Sequence, residues 1–300
     1  MTDPIAHRVD GTGEPLLMLN GGMMTIAAWE EIAAPLAACF RVVRCDFLGQ
    51  FLSPGPTHAG LEGHVADVVA LLDSLRIDRA HVVGTSFGAE VGLLLAAEQP
   101  QRVRSLVAAT AFDHASPAMT ALARAVRDAC RAAVVGGDGG TMFDAMLPGT
   151  YSDAFRAANA AMLAARRERV ARLPVSWFAG VDGILAAVQH LDLRPVLPRV
   201  ACPTLVVVAG LDRTAPPARG RALAAAIPGA RLVEVADSGH AMVVEQPRRF
   251  TDICLEFLST LPPAAPSLPP SDPGPRTPDP GVDSGTASAP ATRTRKGPRP

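Results

Sequence analysis

A serine lies between two glycines where one sequence pattern gives way to another. The apolar run AHVVG (80–84) leads into GTSFG (84–88), and an Ala- and Leu-rich segment then extends to Pro100. The spacing G-x-S-x-G between a strand and a helix holds a serine on a strained turn, with its hydroxyl directed away from the backbone. Without this context, a Gly-Ser pair would indicate only a tight turn. The strand and helix patterns on either side favour Ser86 as a nucleophile.

A serine hydroxyl is a weak nucleophile, so a base must accept its proton and an acid must orient that base. His240 follows the last apolar run of the chain, and Asp212 follows the run before it, TLVVVAG (204–210). We predict that His240 is the base and that Asp212 orients it, with Asp113 as the alternative acid. Asp237 is close to His240 in sequence and is expected to structure its loop. The other histidines lie in early loops or in helix, strand and insert patterns, which suit this role less well.

Acyl transfer also needs hydrogen-bond donors for a developing oxyanion. The backbone N–H of Phe87, the residue after the serine, is predicted as one donor. The loop LMLNGGMMT (17–25) follows an early strand pattern, and its glycine pair lets the backbone approach a substrate closely. We predict Gly22 as the second donor, with Met23 as the alternative.

The elements that position these residues alternate along the chain. Short apolar runs typical of buried strands occur at 15–20, 41–45, 80–84, 103–109, 204–210 and 230–236. Amphipathic segments typical of helices lie between them. Strands that alternate with helices favour an α/β fold, with a mostly parallel, twisted sheet and helices on both faces. Because parallel strands end at a shared carboxyl edge, Ser86, Asp212 and His240 are predicted to lie at that edge.

One block interrupts this alternation. Residues 114–198 contain three helix patterns, separated by breaks such as GGDGG (136–140), and no convincing strand. We predict an inserted helical lid over the carboxyl edge of the sheet, with 1–113 and 199–261 as the core. Residues 262–300 are rich in proline and lack aromatics. They are predicted to be a disordered tail, because they bury too little apolar surface to offset chain entropy.

Composition argues against several classes of protein. The 300 residues carry a net charge of −1 and are 48% hydrophobic, which disfavours a nucleic-acid or acidic membrane partner. The N-terminal residues are polar, no apolar run is long enough for a membrane span, and the five cysteines are scattered. We therefore expect a cytoplasmic monomer or homodimer that binds a small-molecule substrate and contacts neither nucleic acid nor membrane. No cluster has metal-ligand spacing, so neither a metal nor another cofactor is expected.

Five segments together resemble the α/β-hydrolase fold family, in particular its lidded esterases, lactonases and haloperoxidase-like members. They are LNGG, CDFLGQFLSPGP, GTSFGAEVG, CPTLVVVAGLDRTAPP and DSGHAMVVEQP, and the resemblance covers about residues 14–260. It implies a catalytic triad of Ser86, Asp212 and His240, each of which matches the family pattern.

Two departures from that pattern concern loops near the predicted site. Family members often carry His-Gly where this chain has Asn20-Gly21, and an Arg-Gly loop where this chain has DFLGQFLS (46–53). An asparagine still holds a loop by hydrogen bonds. The second departure is expected to alter the pocket floor, and neither removes a member of the triad.

The resemblance implies a serine hydrolase that cleaves a small, mostly apolar carboxylic ester or (enol-)lactone through an acyl-enzyme. A C–C bond or thioester hydrolase, an acyltransferase and a non-catalytic ligand-binding protein on the same scaffold are the alternatives, since a fold does not determine a substrate. The apolar candidates for the pocket wall are Met23, Met24, Trp29, Phe51, Phe87, Phe143, Trp177 and Met242.

Overall fold

Seven strands form one sheet in the computed structural model, which describes residues 5–262. They are β1 (His7–Asp10), β2 (Glu14–Leu19), β3 (Phe40–Cys45), β4 (Ala80–Thr85), β5 (Val103–Ala109), β6 (Thr204–Ala209) and β7 (Arg231–Val235). Their order across the sheet is β1-β3-β2-β4-β5-β6-β7. Strand β1 pairs antiparallel with β3, and the other described pairs are parallel. The predicted tail lies outside the described residues, apart from its first residue.

Eleven α-helices are found in the same part of the chain. They are α1 (Glu30–Leu36), α2 (Leu61–Ser74), α3 (Phe87–Glu98), α4 (Pro117–Val134), α5 (Gly140–Thr150), α6 (Asp153–Ala158), α7 (Ala160–Ala171), α8 (Val175–Val188), α9 (Pro217–Ala226), α10 (Met242–Glu245) and α11 (Pro247–Ser259). The predicted α/β class and its mostly parallel sheet are confirmed. Strand β1 was not predicted, because its four residues are mostly exposed and lack the apolar run of a buried strand.

Side chains of the central strands alternate between two apolar layers, as the pleat of a strand requires. Leu17 and Leu19 of β2 pack in one layer with residues of α2, α3 and α9. Leu16 and Met18 pack in the other layer with residues of α1 and α11. Because both faces of the sheet are covered there, the central strands are mostly apolar, which explains why the sequence shows them as nearly continuous apolar runs.

Helices α4 to α8 lie between β5 and β6 along the chain. The two ends of this insertion meet: Ala115 N–H donates to Leu191 O at 2.9 Å, and Leu193 N–H donates to Asp113 O at 2.9 Å. The insertion also has an apolar cluster of its own, in which Trp177 takes part. Its helices therefore pack on one another while β5 and β6 remain paired neighbours in the sheet.

No single helix within residues 5–262 combines the length and the apolar composition of a membrane span. Helices α7 and α8 meet that test only when taken together, and they are bent by 104° relative to each other.

The first turn of α3 packs against backbone, and this contact generates a stability prediction. A Cβ at Gly88 would lie 2.2 Å from Leu19 O, whereas a Cβ at Gly92 would meet only side-chain tips, the nearest at 3.1 Å. We expect Gly88→Ala to lower the free energy of unfolding by about 3 kcal/mol, because backbone cannot yield as side chains do. Gly92→Ala, in the same helix, is the matched control and should change it by less than about 1 kcal/mol. Urea unfolding followed by circular dichroism measures both, and equal effects would contradict the prediction.

Candidate active site

Ser86 occupies a strained turn between β4 and α3. Its backbone has φ 50° and ψ −125°, in the left-handed region that non-glycine residues rarely adopt. The Ser86 N–H donates to Ala109 O at 2.8 Å, which ties the turn to β5. Added Cβ atoms at Gly84 and Gly88 would lie 2.5 Å and 2.2 Å from backbone oxygens, so both positions require glycine. The turn thus directs the Ser86 hydroxyl to the carboxyl edge of the sheet.

His240 lies between Ser86 and Asp212. Its Nε2 is 3.0 Å from Ser86 Oγ, and its Nδ1 is 2.8 Å from Asp212 Oδ2. A carboxylate only accepts hydrogen bonds, so Nδ1 carries the proton and Nε2 is left to accept the serine proton. The Asp212 side chain is 1% exposed and that of His240 is 13% exposed. This geometry allows a proton to move from the hydroxyl to the imidazole while the carboxylate stabilises the cation that forms.

The Asp212 carboxylate is fixed by its own loop. Its Oδ1 accepts from the N–H groups of Thr214 and Ala215 at 2.8 Å and 2.7 Å, which leaves Oδ2 for His240. The alternative acid, Asp113, instead contacts His114 Nδ1 at 3.0 Å and an Arg219 nitrogen at 3.5 Å. Among the described contacts, therefore, the carboxylate that reaches His240 is that of Asp212.

The loop that carries His240 is tied to the helical insertion. Ala241 N–H donates to Thr150 O at 2.9 Å, and the Ser152 N–H and hydroxyl donate to the Glu245 carboxylate at 2.8 Å and 2.7 Å. A Cβ at Gly239 would lie 2.6 Å from Ser152 N, so the two chain segments are in direct backbone contact. The position of His240 consequently depends on the α5–α6 segment. Asp237 contacts Arg249 at 2.9 Å and remains outside the site.

The predicted oxyanion donors lie on either side of the same space. Phe87 is the first residue of α3, so its N–H has no partner within the helix. Gly22 follows β2 and lines the same cavity as Ser86 and Phe87. No hydrogen bond of the Gly22 N–H is found within residues 5–262. Both N–H groups are thus free to bind an anionic oxygen next to Ser86.

The residues at which the sequence departs from the family pattern hydrogen-bond to one another beside the loop that carries Gly22. Asn20 Nδ2 donates to Asp46 Oδ1 at 2.9 Å and to Gln50 Oε1 at 3.1 Å. Gln50 Nε2 donates to the carbonyls of Gly21 and Gly22 at 2.8 Å and 3.2 Å. Asn20, Asp46 and Gln50 are each at most 2% exposed. This buried network binds the carbonyls of Gly21 and Gly22 to Gln50, which leaves the Gly22 N–H out of the network.

A cavity of about 640 Å³ opens beside Ser86 and His240. Its wall includes the predicted apolar residues Met23, Met24, Phe51, Phe87, Phe143 and Trp177. The Phe51 and Trp177 rings lie 5.5 Å apart, which joins the loop after β3 to helix α8. The cavity is therefore formed jointly by the sheet edge and the insertion.

The prediction that Trp29 and Met242 line the cavity is wrong. Trp29 is fully buried away from the cavity, where it donates from Nε1 to Asn20 Oδ1 at 2.6 Å and packs near Phe250. Met242 is also fully buried and belongs to the apolar layer under α1 and α11. Both residues were predicted from their closeness to a loop in the sequence. That closeness does not determine which way a side chain points, and apolar side chains usually pack in the core.

Two residues with contacts at the site were missed in the sequence. Gln50 supports the predicted oxyanion loop. It lies in the segment 46–53, where the sequence departs from the family pattern, and that departure could have marked it as a residue of the site. Glu90 lines the cavity one helical turn after Ser86 and is 1% exposed. It is the sole charged residue in the run FGAEVGLLLAA (87–97), and a single charge in an apolar helix could have marked it as a candidate functional residue.

One group of side chains has the composition of a metal site, although no ligand spacing was recognised in the sequence. Ligand atoms of His58, His64 and Asp67 lie within 4.8 Å of one another. His58 Nε2 is 2.8 Å from Asp67 Oδ2, and among the described residues no hydrogen-bond partner is found for either ring nitrogen of the buried His64. The His64 ring packs against Phe87, with centroids 5.0 Å apart. Burial lowers the pKa of His64 to about 4, which keeps its imidazole neutral.

Comparison with known proteins agrees with this architecture. The profile of the family described as "alpha/beta hydrolase fold" matches residues 14–247. The chain therefore belongs to the α/β-hydrolase fold family, and the protein is a hydrolase of this fold.

Sequence relatives include "Putative carbamate hydrolase RutD" of Pseudomonas savastanoi pv. phaseolicola, which is 29% identical over 259 residues, 84% of this chain and 97% of that protein. The protein of the same name from Klebsiella pneumoniae subsp. pneumoniae is 30% identical and covers 84% of this chain and 94% of its own.

Similar solved structures include the enol-lactonase from Burkholderia xenovorans LB400, with a TM-score of 0.75 and 29% identity over 85% of this chain and 96% of that one. A hydrolase from Pseudomonas aeruginosa PA01 has a TM-score of 0.73 and 31% identity over 85% and 94% of the two chains.

The network around Gln50 generates a stability prediction. Gln50→Leu leaves the Phe47 N–H and the Gly22 carbonyl without a hydrogen-bond partner among residues 5–262. Asn20 still donates to Asp46, and the Gly21 carbonyl still accepts from the Met24 N–H. We expect it to lower the free energy of unfolding by about 3 kcal/mol, since each unsatisfied buried group costs about 1–3 kcal/mol. Gln101→Leu makes the same change at an exposed position and should alter stability by less than about 0.5 kcal/mol. Urea unfolding compares the two, and similar effects would show that the network does not stabilise the fold.

Proposed function

We propose that the protein is a serine hydrolase with Ser86 as nucleophile, His240 as general base and Asp212 as the orienting acid. The observation that carries this proposal is the contact of one imidazole with both partners, at 3.0 Å to Ser86 Oγ and 2.8 Å to Asp212 Oδ2. A ligand-binding protein has no need for a serine strained at φ 50° and aligned with a base.

In this mechanism, His240 Nε2 accepts the Ser86 proton as Oγ attacks the substrate carbonyl carbon. The N–H groups of Gly22 and Phe87 donate to the oxyanion of the tetrahedral intermediate. His240 then gives its proton to the leaving group, and an acyl-enzyme forms on Ser86. Water attacks the acyl carbon with His240 again as base, which releases the acid and restores the serine.

The proposed substrate is a small, mostly apolar carboxylic ester or (enol-)lactone. A cavity of about 640 Å³ lined by methionine and aromatic side chains supports this class, because apolar walls bind apolar chains by burial. Similarity to an enol-lactonase at 29% identity is also consistent with it.

Carbamate hydrolysis is a second candidate, which the printed names of the sequence relatives favour. A carbamate presents the same carbonyl to Ser86, and the same oxyanion donors serve it. Rates on a panel of esters, lactones, carbamates, thioesters and vinylogous diketones separate these candidates, including C–C hydrolysis. Acyl transfer is scored by adding an acceptor alcohol or amine.

A fluorophosphonate probe tests the nucleophile directly. We expect intact-mass analysis to show one adduct on the wild type and none on Ser86→Ala or His240→Ala, with kcat/KM on the best ester reduced by at least about 10⁴-fold. Ser259→Ala and His190→Ala, at exposed positions, should label as the wild type does. A folded wild type that stays unlabelled would exclude an activated serine and favour the binding-protein alternative.

The orienting acid has its own test. Asp212→Asn keeps the shape of the side chain but removes the charge that stabilises the imidazolium, so kcat should fall by about 10⁴-fold. Asp113→Asn is the matched control at the alternative acid and should leave kcat within about three-fold of the wild type, since Asp113 contacts His114 and Arg219 instead. Steady-state kinetics on the same ester measures both, and the reverse order of effects would reassign the acid.

A further inference from the structure

Glu90 is a carboxylic acid residue on the wall of a mostly apolar cavity. It belongs to the first turn of α3, where its N–H donates to Ser86 O at 3.1 Å. Four residues of helix advance about 6 Å along the axis, so the side chain lies one turn from the nucleophile. It lines the same cavity as Ser86 and His240 and is 1% exposed.

Within residues 5–262, this carboxyl group contacts no hydrogen-bonding or charged partner. Glu90 Oε1 is buried without a hydrogen bond, and no ion pair or hydrogen bond of the Glu90 carboxyl is found within residues 5–262. Burial alone raises the pKa of Glu90 to about 8, so the neutral carboxylic acid predominates at pH 7. A buried polar group without a partner destabilises a protein, so its presence on a cavity wall calls for a functional explanation.

Other titratable groups on the cavity wall do not neutralise Glu90. They are Tyr151, Arg166, Arg169 and His240. Arg166 donates to the Tyr151 hydroxyl, and His240 contacts Ser86 and Asp212. Arg169 is exposed on the insertion helix α7. The mostly apolar cavity wall therefore includes a carboxyl group for which no charged partner is found within residues 5–262.

We propose that Glu90 is a substrate-binding residue that hydrogen-bonds an uncharged keto, amide or hydroxyl oxygen on the substrate chain, a few bonds from the scissile carbonyl. The proposal rests on the proposed function and deepens it: the substrate is a bifunctional ester, lactone or carbamate rather than a plain hydrocarbon one. Glu90 donates its proton to that oxygen, and the substrate in turn satisfies the buried carboxyl group. A chain without this oxygen leaves the group unpaired and binds less well.

A matched ester series tests this. The substrates are p-nitrophenyl heptanoate and its 4-, 5- and 6-oxo derivatives, together with the acetates of the corresponding heptanol and oxoheptanols, which place the ketone on the alcohol side. We expect the wild type to prefer one oxo substrate over its parent by about 10-fold in kcat/KM, mainly through KM. Glu90→Met should abolish the preference, and Glu90→Gln should keep part of it through its amide N–H.

The pH dependence separates recognition from a structural effect. The wild-type preference should fall as pH rises through about 8, because the Glu90 carboxylate cannot donate. The remaining preference of Glu90→Gln should not change there, since an amide does not titrate. Glu98→Gln, an exposed position in the same helix, should behave as the wild type throughout.

Several outcomes would overturn the proposal. One is the absence of a preference in both series, and another is a stronger preference for a 6-ammonio ester, which would make the group a cation site. A third is a Glu90→Met protein with a lower melting temperature than the wild type, because a carboxyl group without partners should stabilise when it is replaced. Fluorophosphonate labelling of the wild type distinguishes these failures from failure of the proposed function: a labelled enzyme without an oxo preference refutes only the role of Glu90.

Discussion

The close approach of α3 to the ends of β2 and β4 is the constraint on which the rest of the site depends. Cβ atoms at Gly84 and Gly88 would lie only 2.5 Å and 2.2 Å from backbone oxygens, and the chain turns between these glycines with Ser86 at φ 50°. Such a conformation costs about 1–3 kcal/mol, which packing on both faces of the sheet offsets. The same contact joins Gly88 to Leu19, so it also determines where the loop after β2 begins relative to Phe87.

Buried polar groups extend this arrangement outward from the turn. Asp46 accepts hydrogen bonds from Asn20 and from the Ile26 and Leu52 N–H groups, so one carboxylate joins the loops after β2 and β3. Glu245 similarly joins the His240 loop to Ser152 in the insertion. Each of these carboxylates accepts several hydrogen bonds, and such a buried network favours one arrangement of the loops over other compact arrangements. Glu90 is the contrast, since it lines the cavity and its carboxyl group has no partner in the part of the chain that the structure describes.

Local sequence patterns were sufficient to predict most of the strands and the residues of the candidate site. Six strands were predicted to within one residue at either end. Burial on both faces gives the central strands nearly continuous apolar runs, whereas β7 was predicted although most of its residues are exposed. Ser86, Asp212 and His240 were selected because each follows a predicted strand that ends at the same edge. Strand β1 was missed because its side chains are mostly exposed, and Trp29 and Met242 were misplaced because apolar residues beside a loop point to the core as readily as to a cavity.

The sequence by itself determined the order of elements, the turn at Ser86 and the residue types that acyl-transfer chemistry needs, since these depend on short-range periodicity and on glycine sterics. Tertiary structure alone decided that Asp212 rather than Asp113 reaches His240, that Gln50 supports the loop of Gly22, and that Glu90 lies in the cavity. Each of these contacts joins segments that are far apart in the chain or depends on the direction of one side chain. Long-range contacts and side-chain directions leave no periodic pattern or motif in the sequence, so they are seen only in the packed structure.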